Sequence, residues 1–147
     1  MNVVPKVVRE LEFKILKEDW FVYKLVDGTI LKIKPVLIKV LETDQINPDT
    51  GKKIYEFEGT NIVFVKSPEN LKGVPTLPLP PPPEALKLEK EEVDIEETIQ
   101  EPWNLYELEN GEKIKQKLIV ASIYRIKNKY SRDGNPYYVV QSQMVVG

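Results

Sequence analysis

The sequence contains no cysteine and no histidine. These absences exclude disulfides, metal sites built from Cys or His, thiol nucleophiles and the side chain that most often transfers protons near neutral pH. No serine lies in a G-x-S-x-G context, and no acidic loop has EF-hand spacing. We therefore expect a protein that is not an enzyme and that uses no cofactor and no metal.

Long apolar runs are also missing. The segment from Met1 to Arg9 has no apolar run like that of a signal peptide, and no stretch approaches the roughly 18 apolar residues of a membrane-spanning helix. The sequence therefore predicts a cytoplasmic protein without a membrane partner.

An internal repeat appears when the sequence is compared with itself at an offset of 83 residues. It relates a first unit, residues 20–65, to a second unit, residues 103–147. Each unit has only about 45 residues, close to the size below which a domain needs extra support, so we expect the units to stabilise each other. The shared residues include both tryptophans and two turn glycines: Trp20/Trp103, Tyr23/Tyr106, Leu25/Leu108, Gly28/Gly111, Lys32/Lys115, Lys34/Lys117, Gly51/Gly134, Tyr55/Tyr138 and Val63/Val146.

Two turns per unit follow from the glycines. The dipeptides Asp27-Gly28 and Asn110-Gly111 predict two-residue β-hairpin loops, because this pairing supplies positive φ. Residues 47–51 and 130–134 predict longer loops that close on a left-handed glycine. Each unit is therefore predicted to contain a strand, a long second strand and a further strand.

The second strand has about 15 residues, against a usual 5 to 6, so it should bend or divide in two. Pro35 marks a bend or an edge position. The strand centres are apolar on both faces, which predicts packing between the two units at six residues: Val36, Leu37, Ile38, Ile119, Val120 and Ala121. In the second unit, alternation predicts one apolar face, with Ile114, Leu118, Val120, Tyr124 and Ile126, and one basic face, with Lys113, Lys115, Lys117, Arg125, Lys127 and Lys129.

The predicted fold class is all-β, with two duplicated small antiparallel β-barrels of about five strands each. Residues 23–33 (YKLVDGTILKI) resemble the start of the first Sm motif, and residues 57–65 (FEGTNIVFV) resemble the second. This resemblance implies an Sm-like or SH3-like barrel. Ile33 replaces a glycine of the family, Gly59 becomes Ser142 in the second unit, and the Asp and Asn that hold a uracil have no counterpart. Uridine binding is therefore not carried over.

Three regions follow from these patterns. Residues 1–66 form the first barrel repeat with a leading strand or helix, residues 67–102 form a linker, and residues 103–147 form the second repeat. Alternation over Leu11, Phe13 and Ile15 favours a leading strand, and Val93 and Ile95 repeat it, with a helix as the alternative in both places.

The linker is proline-rich and then acidic. Seven of the twelve prolines fall between residues 68 and 83, which predicts a polyproline II spacer or, alternatively, a ligand for an aromatic groove. Eight acidic side chains lie between residues 84 and 101. They predict a solvated segment or, alternatively, a mask over the basic faces of the barrels.

Two functions remain open. The leading hypothesis is a non-enzymatic adaptor or assembly protein that binds a protein partner, or associates with itself, through strand surfaces. The alternative is RNA or DNA binding by the basic face of the second unit, where Tyr130 could stack on a base beside the six cations. Ordinary solvation of a strand face also explains these cations.

Overall fold

The computed structural model describes residues 4–81 and 83–147. These residues form ten β-strands, two short 3-10 helices (Glu69–Leu71 and Glu84–Lys87) and no α-helix. None of the helices there is long and apolar enough to cross a membrane. The strands of the N-terminal half are β1 Val7–Leu11, β2 Phe13–Lys17, β3 Phe21–Leu25, β4 Ile30–Ile46 and β5 Lys53–Lys66. Those of the C-terminal half are β6 Lys90–Glu92, β7 Ile95–Gln100, β8 Asn104–Leu108, β9 Lys113–Tyr130 and β10 Pro136–Val146.

The two halves place their strands at matching positions. β3 and β8, and the starts of β4 and β9, are separated by the same 83 residues that relate the two sequence units. The leading segments are strands in both halves, as the alternation predicted, and the helix alternative is wrong. β6 and β7 lie inside residues 67–102, the predicted linker.

The strands form two five-stranded antiparallel sheets. One has the order β1-β4-β3-β7 with β5 beside β4, and the other has the order β10-β9-β8-β2 with β6 beside β9. The leading strands are exchanged between the halves: β2 pairs with β8, with Phe13 opposite Leu108, and β7 pairs with β3, with Ile95 opposite Leu25. Each sheet therefore contains strands from both halves.

The long strands do not divide. β4 has 17 residues and β9 has 18, and each contains a β-bulge in which one residue, Ile38 or Ala121, has no partner on the neighbouring strand. A bulge bends a strand and increases its twist. Pro35 lies within β4 between the stretches that pair with β3 and β1, so its missing N–H removes no ladder hydrogen bond on that edge.

The first turn of each half has three loop residues, not two. Leu25 N–H donates to the carbonyl of Thr29, and Gly28 N–H donates to the carbonyl of Leu25, so Gly28 (φ 89°) takes the left-handed position. The second half repeats this arrangement around Gly111 (φ 87°). The glycine prediction is confirmed, but the loop is the three-residue type with a glycine bulge.

Two hydrophobic clusters hold the sheets together, and both halves contribute to each. The larger contains Phe21, Tyr23, Leu25, Leu31, Ile33, Val93, Leu118, Ile123 and Tyr138. The smaller contains Leu11, Leu37, Val40, Tyr106, Leu108 and Ile114. β4 and β9 are long because each passes from one cluster to the other.

Neither sheet closes into a barrel. Within the described residues, β5 pairs only with β4 and β10 pairs only with β9, so the second edge of each strand is unpaired. The all-β prediction is confirmed at the level of two open antiparallel sheets.

Candidate functional site

The cations predicted to form one basic face are divided by the bulge at Ala121. Three precede the bulge: Lys113, Lys115 and Lys117. Three follow it: Arg125, Lys127 and Lys129. Before the bulge even-numbered residues such as Leu118 are buried, whereas both Ile123 and Ile126 are buried after it. The strict alternation is thus lost after the bulge, and the six cations do not share one continuous strand face.

Two cations of the first group, Lys115 and Lys117, lie over the ring of Trp103. The Nζ atom of Lys115 lies 4.7 Å from the ring centroid, and that of Lys117 lies 5.8 Å from it. Lys117 also forms an ion pair with Glu101 at 3.3 Å. Lys113 and Lys115 are exposed and have no ion pair within the described residues, so these two remain available to an anion.

The second group is largely paired with carboxylates. Arg125 donates to Asp27 at 2.8 Å and to Glu91 at 2.6 Å. Lys127 lies 3.6 Å from Glu89 and 3.7 Å from Glu91. Together with Glu101, these glutamates come from the acidic segment between residues 84 and 101. That segment pairs with three of the six cations: Lys117, Arg125 and Lys127. Such pairing is what the alternative interpretation of the acidic segment, a mask over basic strand faces, predicts.

Tyr130 is held by the proline-rich segment. Its carbonyl accepts a hydrogen bond from the Thr76 N–H at 3.0 Å, and its own N–H donates to Thr76 Oγ1 at 3.0 Å. Gly73 lies against the ring so closely that a Cβ there would be 2.5 Å from ring atoms. At least one face of the ring is therefore covered and is not free to stack on a base.

The six central residues predicted to pack between the units have different environments. Leu37 is buried against Tyr106 and other residues of the C-terminal half, and Val120 packs on the cluster that contains Phe21. Ile38 is 57% exposed and Ile119 is 42% exposed. Ala121 is exposed, and Val36 is half-buried beside a cavity. Two of the six thus contact the other half through a core.

Tyrosine–glutamate hydrogen bonds link the halves reciprocally. Tyr23 donates to Glu101 at 3.2 Å, and Tyr106 donates to Glu18 at 2.7 Å. Both pairs keep the offset of 83 residues. Burial, followed by the neighbouring carboxylate, raises the pKa of both tyrosines, so the hydroxyls remain protonated donors. The sequence repeat includes both tyrosines, but it does not indicate that Glu101 and Glu18 accept their hydrogen bonds.

A second reciprocal set surrounds Asp27. Tyr138 donates to Asp27 Oδ2 at 2.5 Å, and Thr29 N–H donates to Asp27 Oδ1 at 3.0 Å. Burial opposes ionisation of Asp27, but hydrogen bonds from Tyr138, Thr29 and Arg125 outweigh it and hold the carboxyl pKa below its usual value. At the equivalent positions, Tyr55 donates to Glu112 and accepts from Asn110.

β5 and β10 run past one another with cavities between them. Val65 and Tyr138 line one cavity, Val63 and Val140 line a second, and Gly59 and Ser142 line a third. We call the third, of about 380 Å³, the axial cavity, because Gly59 and Ser142 are equivalent positions at the offset of 83. Its other lining residues are Pro35, Val36, Leu37, Phe57, Glu58, Thr60, Asn61, Gln116, Leu118, Met144 and Val146.

Apolar side chains are exposed on the same two strands. On β5, Ile62, Val63 and Phe64 are 50%, 46% and 43% exposed. On β10, Met144, Val145 and Val146 are 37%, 39% and 47% exposed. Three consecutive strand residues point to both faces of a strand, so each strand exposes apolar surface on both faces. The sequence shows these apolar runs, but composition alone does not indicate that they are exposed.

No group of three or more acidic side chains in the described ranges is placed to hold a metal ion. Comparison with known proteins gives no match: no protein-family model matches the chain, and no curated protein and no solved structure is similar to it.

Proposed function

We propose that the protein is a non-enzymatic adaptor or assembly module made of two small barrel-like units that a duplication produced. The observation that carries this proposal is the exposed apolar surface on the edge strands β5 and β10, each of which has one unpaired backbone edge within the described residues. An unpaired edge offers backbone N–H and C=O groups to another strand, and adjacent apolar side chains add surface to bury. A protein partner, or a second copy of the chain, supplies both.

The outer face of β5 is the first surface to test. Ile62 and Phe64 lie on the side that also carries Lys32, whose Nζ is 5.1 Å from the Phe64 ring centroid. Burial of one Ile side chain in an interface contributes about 1.5–3 kcal/mol. Loss of the Ile62 contact should therefore weaken a protein complex at least about tenfold.

The test is a pull-down from extract of the source organism with the full chain, with and without nuclease. We expect a captured protein that survives nuclease and is lost with Ile62→Glu. Ile46→Glu is the matched control, since Ile46 is 59% exposed but lies at the far end of β4. Capture that disappears entirely with nuclease would overturn the proposal.

Nucleic-acid binding is the second candidate, favoured by the exposed side chains of Lys113 and Lys115, of which Lys115 lies over the Trp103 ring. Pairing of Lys117, Arg125 and Lys127 with acidic residues weighs against it. In the same experiment it predicts nuclease-sensitive capture that weakens steeply with salt.

A further inference from the structure

The proline-rich segment lies on the C-terminal half. Ser67 N–H donates to Asn135 Oδ1 at 3.0 Å, Gly73 N–H donates to the carbonyl of Gly134 at 3.0 Å, and Thr76 N–H donates to that of Tyr130. Gly134 is buried, whereas its equivalent Gly51 is exposed, and a Cβ added to Gly51 would meet no atom within 4 Å. The segment therefore covers one of two equivalent surfaces.

Further along, residues 79–81 reach the space between β5 and β10. Leu79, Pro80 and Pro81 line a cavity there with residues of both strands and of β4. Four of those strand residues are Ile33, Asn61, Val63 and Val140. The extended Leu-Pro-Pro stretch therefore lies beside the groove between the two strands at this position.

The equivalents of these four residues line the axial cavity. At the offset of 83 they are Gln116, Met144, Val146 and Phe57, in the same order. None of the residues that line the axial cavity belongs to the proline-rich segment. At one position in the groove an extended segment of the chain thus forms part of the cavity wall, and the axial cavity, which shares four equivalent residues, has no such wall.

We propose that the axial cavity binds an extended apolar peptide segment of a partner protein, which would lie beside β5 and β10 as Leu79–Pro81 do at the first position. This inference rests on the proposed function and names its site. Phe57, Leu118, Met144 and Val146 supply apolar walls. The cavity volume of about 380 Å³ lies in the range of ligand-binding clefts, about 300–1,000 Å³.

One residue difference distinguishes the axial cavity from the first position. Gln116 stands at the position equivalent to Ile33, and it is only 5% exposed as a residue. It lines the axial cavity, so a bound segment would lie beside the Gln116 amide where the first position has the hydrocarbon side chain of Ile33. An amide supplies both donors and an acceptor, which match the C=O and N–H groups of a peptide backbone.

The chemistry of the cavity favours a peptide over a nucleic acid. Its one charged lining residue is Glu58, so it offers no cation to a phosphate. Residues of β5 and β10 both line the cavity, and each strand has one unpaired backbone edge within the described residues, which suits the repeating N–H and C=O groups of an extended chain.

The probe is a synthetic peptide with the sequence of residues 74–81, VPTLPLPP, titrated into the isotope-labelled full chain and followed by NMR. We expect saturable shifts at Gln116, Met144 and Val146. Met144→Glu should weaken binding at least about tenfold, because it puts a charge on an apolar wall. Val145→Glu is the matched control, because Val145 faces the opposite side of β10 from Met144 and lies opposite Lys117. The Val145→Glu variant should bind the peptide as tightly as the unmodified chain does.

Four outcomes would overturn the assignment. They are no saturable shift, equal losses in the Met144 and Val145 variants, equal binding of a peptide with both leucines changed to serine, and shifts confined to Val63 and Val140, which would mean displacement of the chain's own segment. Concentration-dependent shifts without peptide would also overturn it, by identifying a second copy as the occupant. If nuclease-resistant capture persists with Met144→Glu, the proposed function stands and this site fails; circular dichroism of each variant checks folding.

Discussion

The two halves of the molecule use the same strand pattern but differ in what covers it. Tyr138 is 9% exposed and bonds to Asp27 and Thr29, next to the proline-rich segment. Tyr55, at the equivalent position, is half-buried and bonds to Glu112 and Asn110. The linker lies on only one of two similar surfaces, so it makes the halves unequal. A nearly symmetric scaffold thus has one surface that the linker covers and one equivalent surface that it leaves exposed.

The largest expected effect tests whether the two clusters unfold together. Leu25 and Leu108 are equivalent residues, 0% and 2% exposed, one in each cluster. Replacing either with Ala should lower the free energy of unfolding by about 2–5 kcal/mol, from lost burial and the cavity left behind. Because each cluster contains residues of both halves, we expect a single unfolding transition in urea for each variant. Two spectroscopic probes that monitor the same unfolding should give coincident curves. Two separate transitions would show that the clusters are independent.

A smaller effect should separate the reciprocal tyrosines. Tyr106→Phe removes a 2.7 Å hydrogen bond to the Glu18 carboxylate, which also accepts the Leu37 N–H. The expected loss is about 1.5–3 kcal/mol, typical of a hydrogen bond to a charged group. Tyr23→Phe removes a longer hydrogen bond, 3.2 Å, to the Glu101 carboxylate, which retains its ion pair with Lys117. We expect it to cost less in urea denaturation; a larger loss for Tyr23→Phe would contradict this ranking.

The smallest effect concerns pH at Asp27, whose equivalent is Asn110. The folded-state pKa of Asp27 is lowered, so the unfolded chain takes up its proton first as pH falls. This contribution to stability is fully present above about pH 4, the unfolded value, and is lost as pH falls through the folded pKa. Asp27→Asn should therefore flatten the decline of melting temperature below about pH 4. Some dependence of melting temperature on pH should remain in this variant, because Lys53 and Arg9 lower the pKa of Glu42. If the melting temperature of Asp27→Asn fell with pH as steeply as that of the unmodified chain, the role of Asp27 would be refuted.

Local features of the fold could be predicted from the sequence. The turn glycines, the asparagine and aspartate beside them and the leading strands follow from backbone conformation and period-two alternation, which depend on neighbouring residues. Asp27 and Asn110 side chains each accept the N–H two residues later, at 3.0 Å, which explains their presence at these turns. The row of cations was harder to predict, because the alternation is interrupted at Ala121, which has no partner on β10, and both Ile123 and Ile126 are buried after it.

The sequence by itself determined an all-β chain with two similar sets of strands, because β-branched alternation and turn chemistry act locally. Only the tertiary structure decided that the leading strands exchange sheets, that the acidic segment covers three cations, and that the axial cavity stays open. The physical reason is that β2 and β7 carry similar alternation and could pair with either half; the choice depends on long-range packing of Phe13, Ile95 and the buried tyrosines.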